Sequence, residues 1–137
     1  MSDVIKANTV MDGDAEGELV VSRQTFSFFG GFDFDKGEVV DPKSDVYGVS
    51  LKGKIFAYPR GKGSSSTAGV ILEALRQGTA PLAIINVESE KILAVGAIVA
   101  QVMFDWNIPI VSIADEDFQE LSSGKYVRIS KGQIHLL

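Results

Sequence analysis

Apolar positions along the chain change their period near its middle. In the first half they form short β-type runs set apart by turn residues. Residues 17–22 (GELVVS) are one such run, and residues 25–29 are aromatic-rich up to the Gly30-Gly31 pair. Residues 33–37 (DFDKG) carry turn chemistry, with Gly37 available for positive φ, and residues 38–40 can resume a strand. Residues 51–58 alternate Lys52, Lys54, Phe56 and Tyr58 against Leu51, Gly53, Ile55 and Ala57, which predicts a strand ending at Pro59.

From residue 66 the period becomes helical. Residues 66–77 place Val70, Ile71, Ala74 and Leu75 on one stripe and stop at Gly78. Residues 81–87 (PLAIINV) are a nearly unbroken apolar run of strand length, suited to a sheet buried on both faces. Ser89 stands in N-cap position for a second helix through Ile92, Leu93, Ala97, Val99, Ala100 and Met103. That helix ends near Trp106 and Asn107, and its apolar residues, with Trp106, are assigned to the core. Residues 108–113 read as another buried strand, 115–121 as a short helical turn, and 125–129 and 133–137 as closing strands joined by a Ser-Lys-Gly turn. Strand, helix, strand, helix, strand between residues 51 and 113 make two βαβ units, hence a parallel sheet with right-handed crossovers. The expectation is one α/β domain over residues 1–137, a parallel βαβαβ core with a β-rich layer added by the first fifty residues.

Composition narrows the function. With 137 residues, 45% apolar and 23% charged, the chain suits one packed core. No apolar run approaches the ~18–20 residues that cross a bilayer, and Asp3 and Lys6 interrupt the start where a signal peptide would be apolar, so a cytoplasmic location is expected. There is no cysteine, which excludes disulfides, thiolate catalysis and any iron–sulfur or zinc site built on this chain's own sulfur. A net charge of −5 argues against a general nucleic-acid binder. Yet residues 46–72 hold no acid while containing Lys52, Lys54, Arg60 and Lys62; the other 110 residues carry 9 basic and 18 acidic groups. Such an island suits a small anion, although Lys52 and Lys54 are also what the solvent face of a strand carries.

The segment YPRGKGSSST (residues 58–67) lies where a strand ends and a helix begins, the place where open α/β sheets bind ligands. Gly61 and Gly63 let the backbone approach a ligand, and the unpaired N–H groups of the helix start, with Arg60 and Lys62, form an anion cradle. Three serines add hydroxyls, where N-capping alone needs one. The order of residues matches neither a nucleotide P-loop nor a dinucleotide fingerprint. A Ser-His-Asp triad needs a histidine, and the only one, His135, lies in the terminal apolar strand. Four phenylalanines around Gly30-Gly31 suit either a core corner or an interface. Asp115, Glu116 and Asp117 are consecutive, do not converge on one ion, and read as a solvated helix start.

Gly61-Lys62-Gly63-Ser64-Ser65-Ser66, preceded by Tyr58-Pro59-Arg60 and followed by LEALRQGTAP (residues 72–81), resembles the small subunit of the aconitase X family. The upstream FFGGFD (residues 28–33), with Gly37 and Val40-Asp41, is similar to that family's other hallmark, and the resemblance runs from about Gly17 to the C-terminus. It implies the swivelling β/β/α fold, equivalent to the mobile fourth domain of aconitase, and a large partner subunit that holds a 4Fe-4S iron–sulfur cluster. Aconitase-type enzymes carry a Gly-Ser-Ser-Arg loop whose first serine abstracts the proton. The matching position is Ser64, with Ser65 beside it as a substrate contact; Ser66 replaces the arginine, so Arg60 or Lys62 would take over the binding of substrate carboxylate.

The implied chemistry is dehydration of a 3-hydroxy acid: a proton leaves the carbon next to the carboxylate while hydroxide departs toward a Lewis-acidic iron. A serine is a poor base unless its alkoxide is stabilised, which a helix N-terminus and nearby cations supply. Members of the family resemble dehydratases of 5-phosphomevalonate, in an archaeal isoprenoid route, or of hydroxyproline. The short free-standing form and cationic loop suit the substrate with both carboxylate and phosphate. Two other classes stand beside the hydro-lyase: a phosphohistidine-type swivelling carrier, which would need His135 on the functional loop, and a free-standing anion-binding module.

Overall fold

The computed structural model describes residues 3–62 and 65–137. Two short strands absent from the sequence expectation, β1 (Val4–Lys6) and β2 (Asn8–Met11), precede β3 (Ala15–Val21). A single turn α1 (Phe28–Gly31), a hairpin β4 (Phe32–Asp33) and β5 (Glu38–Val39), and then β6 (Ile55–Ala57) complete the first half. The second half runs α2 (Thr67–Gln77), β7 (Ala83–Asn86), α3 (Lys91–Phe104), β8 (Ile110–Ser112), α4 (Asp115–Gln119), β9 (Tyr126–Ser130) and β10 (Gln133–Leu136).

Among the described residues the main sheet has the order β1-β10-β9-β3-β6-β7-β8-β2. Its middle, β3-β6-β7-β8, is parallel, and α2 and α3 make the crossovers, as the alternation of periods predicts. β9, β10 and β1 continue it antiparallel on the β3 side, and β2 lies antiparallel to β8 on the other edge. β1 and β2 thus occupy opposite ends of the sheet while only Ala7 separates them in sequence. Consecutive Cα atoms lie about 3.8 Å apart, so the sheet must curl until its two edges meet at that corner. The result is the expected β/β/α layering: helices, parallel sheet, antiparallel layer.

The parallel strands are buried on both faces. From β3, β6, β7 and β8, Val20, Phe56, Ile84 and Ile110 face the helix-side core, joined there by Tyr58 just past β6, with Val70, Ile71 and Ala74 of α2 and Leu93 and Ala97 of α3. Leu19, Val21, Ile55, Ala57, Ile85 and Val111 face the second core, which Phe118, Val127, Ile129 and Ile134 close. The two helices approach closely because Gly96 has no side chain: a Cβ there would stand 3.0 Å from the Ala68 Cα. α2 ends at Gly78 in the left-handed conformation, φ +76°, as the glycine stop predicts.

Several expectations need correction. The strand expected over residues 51–58 is only Ile55–Ala57, because the chain turns at Lys52-Gly53, where Gly53 takes φ +72°. The N-cap of α3 is Glu90 rather than Ser89, and the helix ends at Phe104, with Asp105 in the left-handed region. Its apolar residues do not all enter the core: Val95, Ile98, Val102, Met103 and Phe104 are exposed. Trp106 is half-buried, its ring stacked on Phe104 at 4.4 Å. A helix lying on a sheet buries only one stripe; unbroken apolar composition hid the other. No helix among the described residues is long and apolar enough to cross a membrane.

The aromatic run is divided. Phe26, Phe28 and Phe32 are buried, and Phe26 meets Phe28 and Phe56 edge-on, each at 5.0 Å between ring centres, whereas Phe29 is 56% exposed. Core packing therefore accounts for these rings apart from Phe29. Phe56→Ala is expected to destabilise the chain by about 3–5 kcal/mol, whereas Phe29→Ala changes stability by less than about 0.5 kcal/mol. Denaturant midpoints of the two variants measure the difference.

Candidate functional site

The loop after β6 is pinned from two sides. Phe26 N–H donates to the Arg60 carbonyl at 3.1 Å, and Lys62 N–H donates to the Phe26 carbonyl at 3.2 Å, a parallel bridge that sets Gly61 against Phe26. The Phe26 ring is locked in the helix-side core, so the aromatic segment anchors the loop backbone. On the other side the N–H groups of Val87 and Glu88 both donate to the Pro59 carbonyl at 3.0 Å. Asn86, fully buried at the end of β7, donates its side-chain amide to the Tyr58 carbonyl at 2.9 Å. The C-terminal ends of two parallel strands are thereby tied together, and α2 and α3 start beside them.

Ser64, the expected base, lies with Gly63 outside the described residues. Its neighbours Ser65 and Ser66 are exposed. Ser66 is the N-cap residue of α2, and its side chain makes no capping bond to the helix. Arg60 and Lys62 are exposed, and the Arg60 guanidinium contacts the Glu88 carboxylate. Lys52 and Lys54 do not join them: they precede β6 rather than follow it, and Lys54 pairs with Glu18 at 3.2 Å. The island seen in the sequence is therefore split between the two ends of one strand.

Beneath the loop lies a polar group that the sequence pattern did not single out. The Tyr58 hydroxyl, Thr67 Oγ1, Asn86 Oδ1 and Glu90 Oε1 are buried without hydrogen-bond partners among the described residues. Each such atom costs about 1–3 kcal/mol when nothing satisfies it. Tyr58 is held far above the ordinary phenol range, first by burial and then by the nearby Glu90 charge. Burial also pushes the Glu90 carboxyl up. Of these four residues, Glu90 also lines an open cleft, with Arg60, Gly61, Glu88, Ser89, Lys91 and Ile92. Nothing in the local sequence marks Asn86 or Glu90; they matter because β7 and α3 pack beside the loop.

The other candidates lie elsewhere. His135 is on β10, with β9 and β3 between it and β6. Asp115, Glu116 and Asp117 form the first turn of α4, where carboxylates complement the helix dipole. Among the described residues no group of three or more histidines or carboxylates could hold a metal ion.

Residues 4–136 match the family model described as the aconitase X swivel domain. The phosphomevalonate dehydratase small subunit of Pyrococcus furiosus is 44% identical over 135 residues, covering 97% of this chain and 95% of that protein. The cis-3-hydroxy-L-proline dehydratase of Hypocrea jecorina is 38% identical over 129 residues, covering 94% of this chain but 22% of that protein. The crystal structure of Thermococcus kodakaraensis aconitase X in its holo-form superposes with a TM-score of 0.88 at 39% identity, covering 99% of both chains.

Asn86 ties β7 to the start of the loop from a fully buried position. Asn86→Ala is expected to lower stability by about 1–3 kcal/mol, since it leaves the Tyr58 carbonyl without that donor. Faster amide exchange at Val87 and Glu88, whose N–H groups bond Pro59, is expected with it and checks that the loss is local.

Proposed function

The chain belongs to the aconitase X family, and from that premise we propose that it is the small subunit of a hydro-lyase that dehydrates (R)-5-phosphomevalonate to trans-anhydromevalonate 5-phosphate. The observation that carries the reading is the serine loop at the end of β6, with Ser65, Ser66, Arg60 and Lys62 open to solvent beside the start of α2. Residues 1–137 act as one swivelling domain in the cytoplasm, brought against a large aconitase X subunit. Alone, the chain lacks half of the site.

In this reading Ser64 is the base. Its oxygen takes a proton from the carbon adjacent to the substrate carboxylate, the electron pair of that C–H bond becomes the new double bond, and hydroxide leaves the neighbouring carbon. Ser65 contacts the substrate, and Arg60 and Lys62 bind its anionic ends. The Arg60–Glu88 contact is half-exposed or more on both sides, and such pairs are worth about 0–1 kcal/mol. A carboxylate or phosphate arriving at Arg60 therefore displaces Glu88 at little expense. The start of α2 adds a partial positive charge that favours both the bound anion and the serine alkoxide.

A 4Fe-4S cluster does not fit this chain. There is no cysteine in the sequence, and the described carboxylates do not gather. We assign the cluster to the large subunit.

The choice between substrates is supported by the relatives and by the cations of the loop. The P. furiosus protein named for phosphomevalonate is 44% identical and the protein named for hydroxyproline 38% identical. Arg60 and Lys62 suit a substrate that carries both a carboxylate and a phosphate. Assembled with its large subunit, the parent is expected to turn over 5-phosphomevalonate and not cis-3-hydroxyproline; the reverse preference overturns the substrate. Ser64→Ala should lower kcat by about 10²–10⁴-fold while the complex elutes intact, and near-parental turnover would refute the base.

A further inference from the structure

The buried polar atoms without a partner among the described residues are not scattered. They sit on Tyr58 after β6, Asn86 at the end of β7, Thr67 at the start of α2 and Glu90 at the start of α3. Native interiors rarely leave such atoms unsatisfied, and where they do the site is one of stored strain or function. Among these four, Glu90 has the most direct hold on the loop. A Cβ built on Gly61 would overlap the Glu90 Oε2, so the carboxyl fills the space that any side chain at position 61 would need. A side chain at position 61 would displace the end of the Glu90 side chain, so the neighbour in this close approach is an ionisable group.

The surroundings decide which form of Glu90 belongs there. From the end of β6 it faces the buried Tyr58 phenol; Arg60 comes from the loop, and Glu88 and Lys91 from its own segment. Arg60 is turned to Glu88, while Lys62 and Lys91 are exposed, and among the described residues Glu90 makes no ion pair. A half-buried carboxyl with one oxygen enclosed, facing a phenol and in no ion pair among the described residues, has its charged form disfavoured. The ionised form is drawn to water, and the open cleft along Glu88, Ser89 and Lys91 is its way out.

We propose that Glu90 is a positioning residue for the serine loop: seated against Gly61 while neutral, it holds residues 60–62 at their working height above the ends of β6 and β7, and on ionising it withdraws. The role of the loop in proton removal is taken from the function proposed above; the seat of Glu90 is not. The direction of the pH effect follows from burial. A carboxyl whose native value is raised stays neutral at pH where an unfolded one has ionised, so the hold persists at low pH and is lost as pH rises through the native value.

Two measurements test this separately. In the full-length chain alone, carbon-detected NMR is expected to show Glu90 titrating above the ordinary carboxyl range, with the Gly61 amide shifting at the same midpoint. Glu90→Gln should abolish that Gly61 transition. Titration of Glu90 in the ordinary range, or a Gly61 transition that survives in Glu90→Gln, overturns the proposal whatever the enzyme does. In the assembled two-subunit enzyme, Glu90→Ala should lower kcat by about 10²-fold, the scale of a small misplacement of reacting groups. Glu90→Gln should recover at least about tenfold of that loss and remove the alkaline fall of the kcat profile. A Gln variant as slow as Ala, or one that keeps the parental alkaline limb, refutes the assignment. Loss of turnover in Ser64→Ala bears only on the base, so the two readings fail independently.

Discussion

β6 has no exposed face. Phe56 and Tyr58 point into the helix-side core and Ile55 and Ala57 into the other, all at zero exposure. A strand enclosed in this way has no side on which to carry chemistry, and the polar work of the segment moves to its ends. At one end Lys54 meets Glu18; at the other, Arg60, Gly61 and Lys62 emerge beside the starts of two helices. The position of the site is thus a consequence of how completely the strand before it is buried. It also accounts for the precision with which the loop is held, because its anchors are backbone hydrogen bonds to strand ends and to Phe26, whose ring the core immobilises.

The electrostatics of that end are mixed rather than simply positive. The cationic window read along the chain meets, in space, two acids that come from residues 88 and 90. Glu88 lies at the rim and is a weak, displaceable partner for Arg60. Glu90 lies deeper, half-buried against Gly61, where burial disfavours its charge. An anion entering the cleft therefore meets a guanidinium whose pairing is easily exchanged, and beneath it a group that adds no repulsion as long as it keeps its proton. In the dehydration proposed above, a protonated Glu90 would place no fixed negative charge under the loop.

Much of this architecture was legible in the order of residues. The switch from short β-type runs to helical spacing, the all-apolar run PLAIINV and the glycine at position 78 identify the βαβαβ unit, because burial on both faces and a left-handed helix stop each impose a residue pattern that local reading detects. The aromatic run remained ambiguous, since a phenylalanine looks the same in a core and at an interface; Phe26 and Phe29 took opposite environments three residues apart. The outer face of α3 misled for a related reason. A helix without charges after Lys91 reads as buried all round, yet Val95, Ile98 and Val102 lie on the side away from the sheet.

By itself the sequence determined the alternation that makes a parallel sheet, the glycine and serine composition of the loop at its carboxyl edge, and the absence of any thiolate ligand, because each is a property of residue type and spacing along one segment. Tertiary structure alone decided that β1 and β2 close the sheet at its two edges, that the cations divide between opposite ends of β6, and that Phe26, Asn86 and Glu90 surround a loop from which they are 35, 25 and 29 positions removed, counted from Gly61. Contacts of that range arise only when separate strands pair and helices dock, and no local pattern encodes which side chain will face which.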